Sequence, residues 1–152
     1  MTDRLRCHVT VAAVVADAGR YLFVEEMIRG RRVLNQPAGH LEAGEDLLQA
    51  VIREMREETS LDFLPAFWLG CDLLRLPDGV VTLRVAFTGE TRPLPQPVDR
   101  DPVILATHWL TPSQAAARFT LRSPLVQRSL QRYEAGVRLP LDSLGGLVPA
   151  PE

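Results

Sequence analysis

Residues 39–61 read GHLEAGEDLLQAVIREMREETSL, and three glutamates, Glu54, Glu57 and Glu58, close the charged part of that run. Glu45 to Thr59 reads as a helix, with acids in its first turn where the helix dipole favours them. At about 100° per residue, all three carboxylates fall on one side of that helix. Leu47 and Val51 fall on the same stripe as Glu54 and Glu58, whereas Gln49 and Arg56 occupy the side a solvated face would use. Two of the three acids therefore continue the core-facing edge, where an unpaired carboxylate is costly to desolvate.

Simple surface decoration does not account for that placement. Arg53 is spaced to pair with Glu57 one turn on, worth about a few tenths of a kcal/mol on an exposed helix, and one arginine is a poor match for three acids. A hard divalent cation, Mg²⁺ or Mn²⁺, suits clustered carboxylate oxygens better and relieves their repulsion. Such ions commonly use a few carboxylates together with water and substrate phosphate.

Composition agrees with a single globular domain. The chain has 152 residues, 46% of them hydrophobic, enough for one core without disulfides. Its net charge of -2 points to no nucleic-acid partner. Charge is unevenly spread: between His40 and Ser60 six acids face two arginines, while between Pro112 and Pro140 five arginines face one glutamate. An anion held by a cation at the first patch can be gripped by part of the second. All seventeen basic residues are arginine, which excludes a phosphate-loop lysine and a Schiff-base lysine. Cys7 and Cys71 stand alone in apolar stretches and read as free, buried thiols of a reducing compartment. The valine-rich run after Arg4 and Arg6 reads as a strand, not a signal peptide, and nothing approaches a membrane span. A cytoplasmic protein is expected.

Outward from the helix, Val9–Ala16 and Tyr21–Ile28 read as a hairpin and Arg32–Asn35 as a third strand. Phe67–Leu76 and Val80–Thr88 flank a Pro-Asp-Gly turn, and Val103–Leu110 is a further strand beyond a proline-rich loop. Thr111-Pro112 and Ser123-Pro124 each mark a helix start, and Gly136 ends the second of these helices. Val126, Leu130 and Tyr133 form its core stripe. The pattern predicts an α/β protein of three layers, α/β/α, with a mixed β-sheet between helices. Residues 1–141 form a single domain on this reading, and residues 142–152 a loosely ordered tail.

The run from Gly39 to Leu61 resembles the signature box of the Nudix hydrolases: Gly39, five residues, Glu45, seven residues, then Arg53-Glu54-Met55-x-Glu57-Glu58-x-x-Leu61. Ser60 departs from it, standing where the family has a glycine that ends the helix in a left-handed conformation. Serine there should cost on the order of 1 kcal/mol. The similarity extends from about His8 to Leu141 and is greatest to a phosphatase branch of the family. It implies a Nudix α/β/α sandwich and Mg²⁺ as cofactor, with Mn²⁺ able to substitute. The implied reaction is in-line attack of water on phosphorus, releasing orthophosphate from nucleoside tri- and diphosphates and from thiamine-type pyrophosphates. Small-molecule substrates are thus the expected partners, with no nucleic acid or membrane, for a monomer or a homodimer.

Carried over by the motif, the implied catalytic residues are Arg53, Glu54, Glu57 and Glu58. The implied metal ligands are the carbonyl of Gly39 with Glu54 and Glu58, and Glu57 is either a further ligand or the base. Arg53 would orient Glu57, while Glu45 either supports the loop or serves as helix-start charge. Beyond the box, Asn35, Gln36 and Arg122 are the candidate substrate contacts, against turn chemistry for Asn35 and capping for Arg122. One of Glu25 and Glu26 faces the site and, by strand alternation, the other does not. His40 is a candidate to serve the water, against a structural role; His108 reads as a partly buried strand residue, and Phe67, Trp68 and Trp109 as core aromatics.

Overall fold

A computed structural model describes residues 3–152. The order is β1 (Cys7–Val14), β2 (Ala16–Asp17), β3 (Arg20–Ile28), β4 (Arg31–Asn35), β5 (Ala38–His40), α1 (Leu47–Thr59), β6 (Leu61–Arg75) and β7 (Val81–Pro93). Then follow β8 (Ile104–Leu110), α2 (Pro112–Arg118), β9 (Thr120–Leu121), α3 (Pro124–Glu134), β10 (Leu139–Pro140) and a 3₁₀ turn, Leu141–Ser143. The strands make two sheets, where one was expected. The first runs β10-β6-β7-β1-β5, with β1 and β7 parallel and the remaining neighbours antiparallel. The second runs β2-β3-β4-β9, with β8 on the other side of β3.

Two apolar clusters make the layers. Val11, Ala13, Val85 and Phe87 alternate inward beneath Ala50, Val51 and Met55 of α1. Val14, Leu69 and Ala86 pack with Phe23 and Leu34 of the second sheet beneath Ala115, Val126 and Leu130 of α2 and α3. The stripe read for α3 is therefore the buried one, with Tyr133 at its edge. Leu141 and Leu144 pack against the α1 cluster, and Ser143 Oγ accepts a 2.9 Å hydrogen bond from Trp68 Nε1.

The helix starts are capped as the sequence predicts. Thr111 and Ser123 accept from Gln114 N and Leu125 N, with proline next in each case, and Gly136 takes φ 79° just past α3. For α1 the expectation needs correcting. Its first turn carries no acid, because Asp46 is the N-cap, in extended conformation, and forms a reciprocal capping box with Gln49. The hairpin β6–β7 is longer than its pattern suggested. Pairing continues past Pro65 because Pro65 sits at a register shift opposite Gly89, where a Cβ would stand 2.0 Å from the Leu64 carbonyl oxygen. Both cysteines are free but exposed rather than buried, Cys7 at the exposed first end of β1. Phe67 and Trp109 are likewise partly exposed, not core.

Candidate active site

The site forms where α1 passes the short edge strand β5. Glu58, the last residue but one of the helix, is only 4% exposed, and its Oε1 accepts from Ala38 N at 2.7 Å. Glu54 lies one turn earlier, packed on Gly39 so closely that a Cβ on that residue would stand 2.1 Å from the Glu54 carboxyl. Only glycine leaves room there for this carboxylate. Glu57 is the most exposed of the three.

Arg53 organises the cluster. Its Nη1 donates to Glu54 Oε1 at 2.8 Å and to Glu57 Oε2 at 3.1 Å, and its Nη2 donates to the His40 carbonyl at 2.9 Å. Glu45 grips the other side of the guanidinium, accepting from Nε at 2.9 Å and from Nη2 at 2.8 Å. Glu45 also accepts from Glu42 N, so it ties the loop before the helix to Arg53. Its contacts are those of a loop support, and it lies outside the first turn.

The electrostatics divide these acids. The Arg53 hydrogen bonds hold Glu45 below its ordinary pKa and raise that of Arg53 itself. Burial pushes Glu54 up to about 7, even with Arg53 beside it. Glu58 is pushed up to about 9, chiefly by burial and also by Glu26, Glu54 and Asp101, against the opposing Ala38 N–H. Carboxylates so far from their usual range cluster at functional sites. They lack a cation.

That deficit is the test of fit for a metal ion. Among the described residues, no three His, Cys, Asp or Glu side chains are already gathered closely enough to hold an ion by themselves. The donor set nonetheless suits a hard dication that keeps open positions: oxygens of Glu54 and Glu58 beside the glycine whose small size admits the Glu54 carboxylate, with Glu57 on the solvent side.

A second layer of polar residues lies behind the loop. Asn35 and Gln36 are buried, not part of a turn. Asn35 Nδ2 donates to Glu26 Oε1 at 3.4 Å, and Gln36 Nε2 donates to the Val126 carbonyl at 2.9 Å. Arg122 Nε stands 3.5 Å from Glu26 Oε2, while capping of α3 falls to Ser123. Glu26 therefore faces this layer. Glu25 faces the other way, bound to Arg32 at 3.3 Å and to His108 at 2.9 Å, with a β-bulge between the two glutamates. Reading the sequence missed Asp101, whose N–H donates to the Glu57 carbonyl at 2.9 Å and whose charge acts on both Glu26 and Glu58. It missed Arg84 too, which donates to Asn35 and Gln36 from the first half of β7. Neither residue carries a local pattern. The His40 ring meets His8, 3.4 Å away between ring nitrogens.

The NUDIX domain family matches residues 6–140, spanning the loop, α1 and the other residues of the site. The chain belongs to the Nudix family. Relatives resemble it over nearly their whole length. Phosphatase NudJ of Escherichia coli K12 is 41% identical over 140 residues, covering 91% of this chain and 90% of that one, and the NudJ of Shigella flexneri matches equally. Among solved structures, a Nudix hydrolase from Nitrosomonas europaea superposes with a TM-score of 0.86 at 40% identity, over 92% of this chain and 97% of that one. A MutT Nudix hydrolase from Burkholderia pseudomallei, at 18% identity and a TM-score of 0.71, shares the fold; it covers 84% of this chain and 98% of that one. The protein is thus a Nudix hydrolase similar to NudJ, with the α/β Nudix fold, in a family that acts on small phosphorylated substrates and typically uses divalent metal ions. No helix among the described residues is long and apolar enough to cross a membrane.

Proposed function

We propose that this Nudix hydrolase is a Mg²⁺-dependent phosphatase that releases orthophosphate from nucleoside tri- and diphosphates and from thiamine-type pyrophosphates by attack of water on phosphorus. The observation that carries the reading is the pair Glu54 and Glu58, buried at Gly39 and Ala38 with too little positive charge of their own. The phosphatase activity for which the NudJ relatives are named supports the product. Glu54, Glu58 and the Gly39 carbonyl hold the metal, and Mn²⁺ can replace Mg²⁺. When bound, the ion neutralises phosphate oxygens and makes water a better nucleophile. Glu57 is placed by Arg53 to serve as a further ligand or to take the proton of the attacking water, and Glu45 and the His40 carbonyl keep Arg53 aligned. On this reading Asn35, Gln36 and Arg122, behind the loop, contact the rest of the substrate.

On this reading, residues 1–141 are the hydrolase domain, residues 1 and 2 lying outside the described part, and residues 142–152 a tail. The protein works in the cytoplasm on small molecules as a monomer or homodimer, without nucleic acid or membrane; its net charge of -2 supports the first exclusion. A panel of nucleoside di- and triphosphates and thiamine pyrophosphate, assayed with Mg²⁺ for phosphate and pyrophosphate separately, tests the proposal. Stepwise orthophosphate is expected; pyrophosphate or a pair of monophosphates as the first products would make the enzyme a pyrophosphohydrolase instead.

A further inference from the structure

His40 ends β5 directly after Gly39, yet the cluster around Arg53 uses only its carbonyl, not its ring. The ring turns to β1. His40 is in register with Thr10, and His8, two positions before Thr10 on β1, lies on the same face by strand alternation. His8 Nδ1 and His40 Nε2 stand 3.4 Å apart, with the ring centroids at 5.4 Å and the ring planes inclined by 65°. The backbone fixes this meeting, since β1 and β5 pair from Thr10 to Ala12 and Leu41 N donates to the Val9 carbonyl at 2.9 Å. Both side chains are exposed.

As a hydrogen bond the contact is poor. Its nitrogens lie beyond the roughly 2.7–3.2 Å of a good bond, and among the described residues neither ring has another hydrogen-bond partner. As two arms of a chelate it is well matched: nitrogens about 2.0–2.1 Å from a tetrahedral ion stand about 3.3–3.4 Å from each other. The donor type also separates this pair from the carboxylates of α1. Imidazole nitrogen suits Zn²⁺, Ni²⁺ or Cu²⁺, whereas Mg²⁺ takes oxygen ligands. The charge of Arg122 reaches His40 and opposes a cation there, but the Arg122 guanidinium is itself met by Glu26 at 3.5 Å.

We propose that His8 and His40 form a second metal site, for a borderline transition ion such as Zn²⁺, held by the two imidazoles with water in the remaining positions. The exposure of both rings leaves those positions open to solvent. An ion bound there ties the end of β5 to β1, on the strand that also carries Gly39. Two adjacent residues then serve two sites of different chemistry, Gly39 the oxygen site and His40 the nitrogen site. The assignment uses none of the carboxylates and stands apart from the hydrolase reading.

Zn²⁺ calorimetry in excess Mg²⁺ gives the affinity, and Cu²⁺ electron paramagnetic resonance gives the donor atoms. The parent protein should bind Zn²⁺ saturably and show coupling of Cu²⁺ to two imidazole nitrogens. His8→Gln should lower Zn²⁺ affinity at least about tenfold and remove one of those couplings, as expected for loss of one of two ligands, with the melting temperature unchanged. His40→Gln repeats the test from the other arm. The Glu54→Gln, Glu58→Gln double variant should keep its Zn²⁺ affinity within about threefold of the parent. Absence of a nitrogen-bound ion in the parent, or equal Zn²⁺ affinity in the parent and both histidine variants, would overturn the assignment. Loss of Zn²⁺ in the carboxylate variant would do so as well, by placing the ion among the acids.

Discussion

Glu58 and Asp72 are both largely buried carboxylates, and the molecule treats them in opposite ways. Asp72 on β6 is met by two arginines of α3: Arg128 donates at 3.0 Å, and Arg132 at 2.9 and 3.0 Å. Those bonds hold its pKa below the ordinary value, and the resulting bridge pins α3 to the sheet. Glu58 on α1 receives one backbone N–H and no arginine, and its pKa rises. Where the chain supplies the cation, the carboxylate is a strut. Where it withholds one, the carboxylate waits for a partner from outside.

The comparison predicts opposite phenotypes. Glu58→Gln should lower turnover by about two orders of magnitude or more, as loss of a ligand that neutralises transition-state charge implies. The same variant should be at least as stable as the parent in metal-free buffer at neutral pH, because it removes a carboxyl that burial disfavours ionising in the native state. Turnover and melting temperature measured together check both parts, and a stable variant with undiminished turnover would break the contrast.

Gly39→Ala should rank next. The added Cβ meets the far end of Glu54, which can swing away, so melting should change little while turnover falls about tenfold or more through misplacement of that carboxylate. Loss of stability without loss of turnover would assign Gly39 to the fold alone.

Asp72→Asn should do the reverse. Turnover should hold at low temperature, and stability at neutral pH should drop by about 1–2 kcal/mol, the worth of a charged hydrogen-bonded pair at a partly screened site. A carboxylate with a depressed native pKa contributes its stability above its unfolded pKa, near 3.8, and loses it as pH falls through the lower native value. The gap between parent and variant should therefore be full at pH 7 and close below about pH 4, as denaturant melts at several pH values will report.

How much of this the sequence disclosed depended on range. The acidic stripe of α1 was legible because helical spacing alone puts Glu54 and Glu58 beside Leu47 and Val51, and the starts of α2 and α3 because Ser, Thr and Pro act within one turn. Ser60 behaves as the family pattern implies, ending α1 at φ 58° and ψ 25° with its Oγ donating to the Val98 carbonyl at 3.0 Å. Contacts set by distant pairing were not legible. Asp101 reaches α1 from a proline-rich loop, and Arg84 meets Asn35 across 49 positions of chain. The length of β6 was hidden as well, since Pro65 looks like a terminator until Gly89 is placed opposite it.

Ser60→Gly offers the smallest test. Relief of the left-handed strain, about 1 kcal/mol, is partly offset by loss of the bond to Val98, so a net gain of about 0.5 kcal/mol with unchanged turnover is expected. A loss of stability would show that the hydroxyl matters more than the backbone.

The central claim is that a dication completes the charge balance at Glu54 and Glu58. Mn²⁺ titration followed by electron paramagnetic resonance, in the presence of imidodiphosphate, measures it directly. The account predicts saturable binding by the parent protein, weakened at least about a hundredfold in the Glu54→Gln, Glu58→Gln double variant, as expected when two anionic ligands are lost. The same affinity in both proteins, or no bound ion in the parent, would contradict it.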